Sequence, residues 1–287
     1  FFFFQQKTAY EITGRDWRSA VCSSDLVTSA VFIHGEDLSR RLDHNHDGFL
    51  DHPLTRQVHL FNTWKYNNHN GLMVHGALRF LTDQRYGGEV DLEREGPARL
   101  DLPYKTGIKN QLGEGVFKIG YVWPSQHTAL ALLSNVVVHD LASQYGLKGY
   151  DARENRFYAN LVWTQDLDIA ARHVLNAGVS YFFDAFDETL QSRLMNRHES
   201  VPGLFAEYTF KPSAKLTAML GIRGDDHNLF GTFVTPRAHF RYQPDPRLTI
   251  RASAGKGFRT ANVLAENSHL LSNFRDLEFD EAVQEEA

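Results

Sequence analysis

From residue 57 onward, apolar and polar positions alternate along the chain with a period of two. This is the pattern of β-strands that have one apolar face. A tilted strand that crosses a bilayer needs about 9–11 residues, and each alternating stretch is about that long. The alternating stretches cover residues 57–66, 71–82, 110–123, 127–140, 156–164, 172–183, 201–210, 214–223, 233–242 and 247–255. The pattern therefore predicts an all-β, antiparallel, up-and-down arrangement of about ten or eleven strands.

The segments between these strands fall into two kinds. Short connections rich in Asn, Pro, Ser and Asp occupy residues 67–70, 124–126, 211–214 and 243–246. Mostly longer polar segments occupy residues 83–109, 141–155, 184–200 and 224–232. Short turns at one end and long loops at the other are typical of outer-membrane β-barrels.

One register of these strands carries no charged residue. In eight strands its members include Leu78, Phe117, Leu161, Val179, Leu204, Leu220, Phe240 and Ile250. The other register contains Arg79, Lys118, Glu207, Lys215, Arg237, Arg241 and Arg251. A charge at the bilayer midplane costs about 2–4 kcal/mol, so an uncharged face over many strands favours a face in contact with lipid.

Aromatic residues gather at the strand ends beside the short turns. They are Trp64, Tyr66, Tyr121, Trp123, Trp163, Phe210 and Tyr242. Aromatic residues in membrane proteins are enriched at the membrane–water interface, so this belt predicts the position of that interface. Two alternatives stay open from the pattern, a soluble β-sandwich and a passive porin, because the strands of a sandwich also alternate.

Composition excludes several classes of protein. The 287 residues carry a formal net charge of −5, which argues against a dedicated nucleic-acid binder. The single cysteine, Cys22, excludes a disulfide scaffold within the chain. No His-x3-His pattern points to a zinc hydrolase, and Ser180 and His173 lie in opposite registers of one strand, so we expect no enzyme and no catalytic residue.

The first 26 residues differ in character from the rest. The stretch FFFFQQKTAYEITGRDWRSAVCSSDL has neither the basic nor the apolar region of a signal peptide. It resembles translated sequencing-adapter read-through. We therefore expect residues 1–26 to be non-native and residues 27–287 to form the barrel part of the chain.

The stretch DHNHDGFLD has the oxygen spacing of a calcium loop. Its ligand candidates are the side chains of Asp43, Asn45, Asp47 and Asp51 and the carbonyl of Phe49. Leu54 stands where such a loop needs a bidentate glutamate, so calcium would need a further ligand. The alternatives are a solvated turn and a transition-metal contact through His44 and His46. No cofactor is required by this pattern, but a structural calcium is a candidate.

Residues 203–267 carry a family likeness. Its points are Gly203 with Glu207 and Tyr208, Gly221-Ile222-Arg223 followed by Asp225 and His227, Pro236-Arg237, and Gly257-Phe258-Arg259 with Glu266 and Asn267. KIGYVW at 118–123 and residues 43–54 fit the same pattern. Over about residues 28–287 the chain resembles the barrel of TonB-dependent outer-membrane receptors.

The resemblance implies a transmembrane β-barrel of about 22 strands around a plugged lumen. It implies import of a scarce ligand across the outer membrane of a Gram-negative bacterium, with TonB pulling on the plug. The ligand would be a ferric siderophore, cobalamin or a similar chelate. The plug domain, a TonB box and the closing strands of this family do not occur in the sequence, so we expect an internal barrel fragment, open at both edges.

The resemblance also assigns partners and candidate positions. The expected partners are TonB, through the plug domain, a small-molecule ligand or metal chelate, and outer-membrane lipid; no nucleic acid is expected. Arg237, His239, Arg241 and Arg251 are the lumen-facing candidates for contact with the plug. The alternative for each is a polar pair that only stabilises the wall. The runner-up function is a soluble, calcium-stabilised β-sandwich that binds carbohydrate, and a passive porin is the third hypothesis.

Overall fold

The computed structural model describes residues 17–23, 26–68, 70–90, 104–260 and 262–272. They form twelve strands in one sheet. The strands are β1 (Trp17–Ser23), β2 (Val27–Leu38), β3 (Leu54–Asn67), β4 (Leu72–Gly88), β5 (Lys105–Trp123), β6 (Thr128–Tyr145), β7 (Lys148–Asp166), β8 (His173–Leu190), β9 (Arg193–Ser213), β10 (Leu216–His227), β11 (Gly231–Asp245) and β12 (Leu248–Gly255). One helical turn, α1 (Val263–Glu266), and the 3₁₀ helices Pro124–Gln126 and Ser268–Ser272 complete the described part.

The order of strands in the sheet is the order in sequence, from β1 to β12. Every neighbouring pair is antiparallel, so the predicted up-and-down meander is confirmed. Within the described residues there is one sheet and no second sheet packed on it, which removes the sandwich alternative. β1 and β12 are the two edges, so the sheet is open. None of the helices described here is long and apolar enough to cross a membrane.

The predicted number of strands is confirmed, because residues 27–255 form eleven strands, β2 to β12. β1, in the N-terminal segment that was set aside, adds a twelfth. One prediction about the connections is corrected by the structure. The segments 141–155, 184–200 and 224–232 are not long loops: β6 to β11 run through most of them, which leaves connections at residues 146–147, 191–192 and 228–230. The hydrophobic alternation fades there because both faces are polar, while the backbone ladder continues.

The N-terminal segment that the sequence analysis sets aside lies mostly outside the described residues. Its one described strand, β1, pairs with β2 from Trp17↔His34 to Ser23↔Thr28. Part of residues 1–26 is therefore placed as strand and is no longer excluded from the fold. Its non-native origin stays a prediction.

The two ends of the sheet differ, and each has a name here. The girdle end carries the connections at residues 68–71, 124–127, 167–172, 214–215 and 246–247. The loop end carries residues 39–53, 89–90 and 104 together with the three short connections named above. At the girdle end Tyr121 and Trp123 meet edge to face, with ring centroids 4.6 Å apart. The predicted aromatic belt therefore lies at one end of the strands.

Cross-strand register places the uncharged positions on one face of the sheet, here called the apolar face. One row runs Leu130, Trp163, Ala177, Ala206, and another runs Tyr208, Leu220, Ala238, Ala254. This face is not buried by protein: Leu204 is 67%, Leu220 64% and Val179 57% exposed. Sustained apolar exposure of this kind marks a surface that an apolar medium or partner covers.

Candidate functional site

The opposite face, here called the polar face, carries the charged and hydrogen-bonding side chains. Residues paired across antiparallel strands project to the same side, and the pairs Arg79↔Glu114 and Arg156↔Asp184 lie on this face. Residues 258–260 and 262–272 fold back over it from the end of β12, and Thr260 and Asn262 contact β9 and β8. The polar face is therefore the inner side of the wall.

Two glycines allow arginines to cross a strand on this face. Arg237 of β11 reaches Glu207 of β9 over Gly221 of β10, where an added Cβ would lie 3.1 Å from the Arg237 side chain. Arg223 of β10 likewise crosses Gly203, where an added Cβ would lie 2.8 Å from the arginine nitrogen. A side chain at Gly203 would displace the crossing arginine, and one at Gly221 would crowd Arg237. The motif glycines thus permit ion pairs and hydrogen bonds that skip one strand.

The Arg223 crossing ends in a tight polar group. Its guanidinium donates to both carboxylate oxygens of Asp225, at 2.6 and 2.7 Å, and to the Ser180 hydroxyl of β8 at 2.7 Å. Bidentate arginine–carboxylate pairs are among the stronger polar contacts. Because an arginine rather than a base contacts the Ser180 hydroxyl, this group ties β10 to β8 across β9 and does not activate a nucleophile.

Arg237, His239, Arg241 and Arg251 do not form one cluster. Arg237 is paired with Glu207. Arg241 donates to Gln243 on its own strand, and Arg251 of β12 lies directly opposite Arg241 in the register. His239 stands opposite Ser253. Like charges directly opposite each other are destabilising. A carboxylate bound between Arg241 and Arg251 would therefore relieve their repulsion and stabilise this part of the wall.

The densest charged network lies elsewhere, nearer the loop end. Arg156 of β7 donates to Asp184 of β8 at 3.0 Å and also contacts Glu154. Nδ1 of His139, on β6, lies 3.6 Å from the Glu154 carboxylate. Its other ring nitrogen, Nε2, lies within hydrogen-bond distance of the Asn110 side-chain oxygen of β5, at 2.7 Å. Asp184 is buried, and its partner Arg156 is half-buried. The network therefore links four neighbouring strands, β5 to β8, and places one arginine between two carboxylates.

A second carboxylate continues this network towards β10. Glu199 of β9 stands directly opposite Asp184, 2.9 Å from Arg197 and 3.5 Å from His227. The Leu229 N–H donates to Nδ1 of His227 at 3.1 Å. That nitrogen accepts a hydrogen bond, and the other ring nitrogen, Nε2, lies towards Glu199. Arg197 also stacks over Phe186, 4.7 Å from the ring centroid.

Sequence reasoning missed this network because most of it falls in the segments read as loops. A signal was present: charges repeat two residues apart in Glu154/Arg156, Arg197/Glu199 and Arg223/Asp225. Spacing of two places both members on the same face of a strand. Charge periodicity continues the strands where hydrophobic periodicity fades.

The 43–51 loop lies at the loop end, between β2 and β3. It is joined to the end of β4 by the bridge Phe49↔Glu89 and by the Leu50 N–H, which donates to the Gly88 carbonyl at 2.9 Å. Gly48, the turn position of the motif, has a φ of +84°, a conformation that favours glycine. The loop is thus fixed at the loop end, beside residues 88–90.

The oxygens of this loop have protein partners. The Asp43 carboxylate accepts from the N–H groups of Asp47 and Gly48 at 3.2 and 3.1 Å. The side-chain hydrogen bond from His44 to Asp51, at 2.6 Å, holds the pKa of the Asp51 carboxyl below its ordinary value. Across the described residues no group of three or more His, Cys, Asp or Glu side chains has metal-binding geometry. The ligand set Asp43, Asn45, Asp47, Phe49 and Asp51 stays a prediction.

A continuous antiparallel sheet with an exposed apolar face, an aromatic belt and a charged inner face is the wall of a membrane β-barrel. The model of the family described as TonB dependent receptor-like, beta-barrel, matches residues 24–275. The chain therefore belongs to the TonB-dependent receptor β-barrel family. No curated protein sequence matches the chain.

Solved structures of receptors share the fold. The siderophore receptor PirA from Pseudomonas aeruginosa superposes with a TM-score of 0.58 at 12% identity, over 85% of this chain and 39% of that one. A mutant of the ferric enterobactin receptor PfeA from Pseudomonas aeruginosa gives 0.57 at 10% identity, over 83% of this chain and 41% of that one. The unliganded ferric citrate transporter FecA gives 0.53 at 12% identity, over 83% and 40%. This chain spans about two-fifths of each of these three proteins.

Proposed function

We propose that this chain is part of the barrel wall of an active transporter in the outer membrane of a Gram-negative bacterium. The transporter binds a scarce ligand at its loop end and imports it with energy delivered by TonB. The single observation that carries the proposal is the family match over residues 24–275. The fold supports it, because an exposed apolar face and a charged inner face fit a strand sheet between lipid and a wet lumen.

The ligand class we propose is a ferric chelate. The support is that the similar solved structures are a siderophore receptor, a ferric enterobactin receptor and a ferric citrate transporter. Cobalamin and other chelates remain outcomes of the test. In this orientation the loop end, with the 43–51 loop, faces the exterior, and the girdle end faces the periplasm.

The proposed partners are TonB, acting through a plug domain, and the plug itself. Arg241 and Arg251 support contact with the plug, because two arginines directly opposite each other favour a carboxylate between them. Arg237 and His239 lie on β11, on the same face as Arg241. We propose that acidic plug side chains bind at the Arg241–Arg251 pair, whereas Arg237 is held by Glu207 and serves the wall.

Uptake by whole cells tests this function. Cells that carry or lack the full-length gene would be given ⁵⁵Fe as a panel of ferric hydroxamates, catecholates and citrate, with ⁵⁷Co-cobalamin beside them. Uptake of one ferric chelate that needs both the gene and TonB is expected. Uptake that persists without TonB or after a protonophore would favour a passive porin, and uptake of cobalamin alone would replace the ligand class.

A further inference from the structure

A groove runs along the outer side of the sheet, from the middle of the strands towards the loop end. The part nearer the middle is a cavity of about 420 Å³ that crosses β3 to β6. Gly113 of β5 lies at its centre, between Phe80 of β4 and Val138 of β6. Phe80 is 56% exposed, and a Cβ at Gly113 would meet no atom closer than 3.9 Å. This part of the groove is therefore open to the medium around the sheet, and its walls are mainly apolar.

The part of the groove nearer the loop end is polar. This second cavity, of about 370 Å³, crosses β5 to β8. It shares Gln111 and Asp140 with the apolar cavity, and these two residues lie directly opposite each other in the register. The other charged residues of its lining are Lys109, Asp151, Arg153 and Asp187. The two cavities therefore form one groove, apolar at one end and polar at the other, which matches the shape and polarity of an amphiphile.

Two cations stand at the head of the apolar cavity, on its loop-end side. Gln84 of β4 lies opposite Arg56 of β3 on one side and opposite Lys109 of β5 on the other. Adjacent strands lie about 4.8 Å apart, so the backbones of the two cations are about 10 Å apart. Asp37 of β2 lies opposite Arg56, but neither cation forms an ion pair or hydrogen bond within the part of the chain that the structure describes. Arginine and lysine in this arrangement suit a phosphate group.

The acidic side chains of the polar cavity restrict which headgroup fits. Arg153 of β7 lies opposite both Asp140 and Asp187, 3.6 Å from the Asp140 carboxylate. Asp151 stands in the same row as Lys109, two strands away. A headgroup that consists of phosphate alone would be repelled by these carboxylates, whereas sugar hydroxyls can donate hydrogen bonds to them. A cavity that crosses four strands is also about 14 Å wide, which leaves room for a sugar beside a phosphate.

We propose that this groove binds one phosphorylated glycolipid of the exterior leaflet. An acyl chain lies over Gly113, between Phe80 and Val138. The phosphate is held by Lys109 and Arg56, and the sugar donates hydrogen bonds to the carboxylates of the polar cavity. The site rests on the proposed function, because the orientation given there places the loop end in the exterior leaflet. It goes beyond the general contact of a barrel with lipid, because one class of lipid is selected at one place on the wall.

Lipid binding to the full-length protein tests this site. The protein would be stripped of lipid in detergent and titrated with bisphosphorylated lipid A, and mass spectrometry of the intact complex would count the bound lipid and give its dissociation constant. Parallel titrations would use lipid A without its phosphates and phosphatidic acid, which has a phosphate and acyl chains but no sugar. We expect lipid A to bind at least about tenfold more tightly than phosphatidic acid, because only the sugar offers hydroxyl donors to the carboxylates.

Two variants act on separate parts of the groove. Lys109→Gln removes the ammonium and should weaken the binding of lipid A about tenfold, because a charged hydrogen bond to the phosphate is lost. The same variant should bind the dephosphorylated lipid as the unchanged protein does. Gly113→Leu fills the apolar cavity and should weaken the binding of both lipids about tenfold, because the acyl chain loses its place over the glycine.

Matched controls change the same residue types elsewhere. Arg247→Gln removes an exposed charge at the girdle end. Gly224→Leu adds a leucine to the outer side of β10, opposite Leu204, where a Cβ would meet no atom within 4 Å. Both controls should bind lipid A with unchanged affinity. If Gly113→Leu lowers the denaturation midpoint, Lys109→Gln, at an exposed position, carries the test alone.

The outcomes separate this site from the proposed function. Equal affinities for lipid A and phosphatidic acid, or an affinity for lipid A that Lys109→Gln leaves unchanged, would overturn the glycolipid site. Because the titration needs no transport, a protein that selects lipid A but imports nothing would refute the proposed function alone. A protein that imports a ferric chelate but binds these lipids without selection would refute the site alone.

Discussion

Replacing Leu220 by arginine separates a membrane wall from any arrangement in water. Leu220 lies on the apolar face of β10, between Tyr208 of β9 and Ala238 of β11. It is 64% exposed in the protein itself. In water, a substitution at such an open position would change the free energy of unfolding by no more than about 0.5 kcal/mol. In a bilayer the same arginine would face hydrocarbon.

The magnitude follows from the depth of the position. The apolar positions of β10 are Leu216, Ala218, Leu220 and Ile222, so Leu220 lies within the apolar band rather than at its edge. An arginine on the lipid face costs about 2–4 kcal/mol at the midplane and falls to about 0–1 kcal/mol near the interface. We expect Leu220→Arg to cost about 2–3 kcal/mol.

Met219 supplies the matched control. It is the neighbouring residue, at nearly the same depth, but it lies on the polar face opposite Thr209 and His239. Met219→Arg should cost less than about 1 kcal/mol because it adds a charge to a wet lumen. The assay is reversible denaturant unfolding of the full-length protein in lipid vesicles, followed by tryptophan fluorescence. Equal costs for the two variants, or a neutral Leu220→Arg, would show that the apolar face of β10 does not contact lipid.

Three further predictions concern the loop, the inner wall and the plug. If the 43–51 loop binds calcium, calorimetry of the full-length protein should show heat on calcium addition that Asp47→Ala abolishes; no heat in either protein would leave only the turn. Arg156→Met should lower the free energy of unfolding by about 2–3 kcal/mol, because it leaves the buried Asp184 without its arginine. This value lies between the cost of breaking an exposed ion pair and that of breaking a fully buried one. An unchanged denaturation midpoint would contradict a stabilising role for this network. Arg251→Glu should stabilise the wall by about 0.2–1 kcal/mol through its pairing with Arg241, while hydrogen exchange in the plug becomes faster; unchanged plug exchange would count against contact there.

The fold was largely predictable from sequence because lipid imposes a simple rule on one face. A strand such as β10 shows Leu216, Ala218, Leu220 and Ile222 at every second position, and that regularity predicts both the strand and its outward face. Beyond the apolar band no such rule applies. At the loop-end part of β9 both faces are polar, so hydropathy shows no alternation there and predicts a loop instead of a strand.

The site was less predictable, because it depends on which charges meet across strands. Arg237 was identified as lumen-facing, but its pairing with Glu207 follows from the register of three strands and from the absence of a side chain at Gly221. Phe258, which lies beyond the last strand, stacks on Phe233 of β11, and periodicity does not reveal this contact. A register is fixed only when all strands are paired.

If this sheet separates lipid from a lumen, its two faces must differ in their contact with lipid tails, and fluorescence quenching measures that contact. Single cysteines at Ile250 and Ser253 of β12, and at Leu220 and Met219 of β10, would carry an environment-sensitive dye in the full-length protein, reconstituted in vesicles with bromine-labelled lipid tails. Dyes at Ile250 and Leu220 should be quenched, and dyes at Ser253 and Met219 should not, because alternate residues face opposite sides of a strand. Equal quenching within each pair, or none at any position, would show that these strands do not cross a membrane.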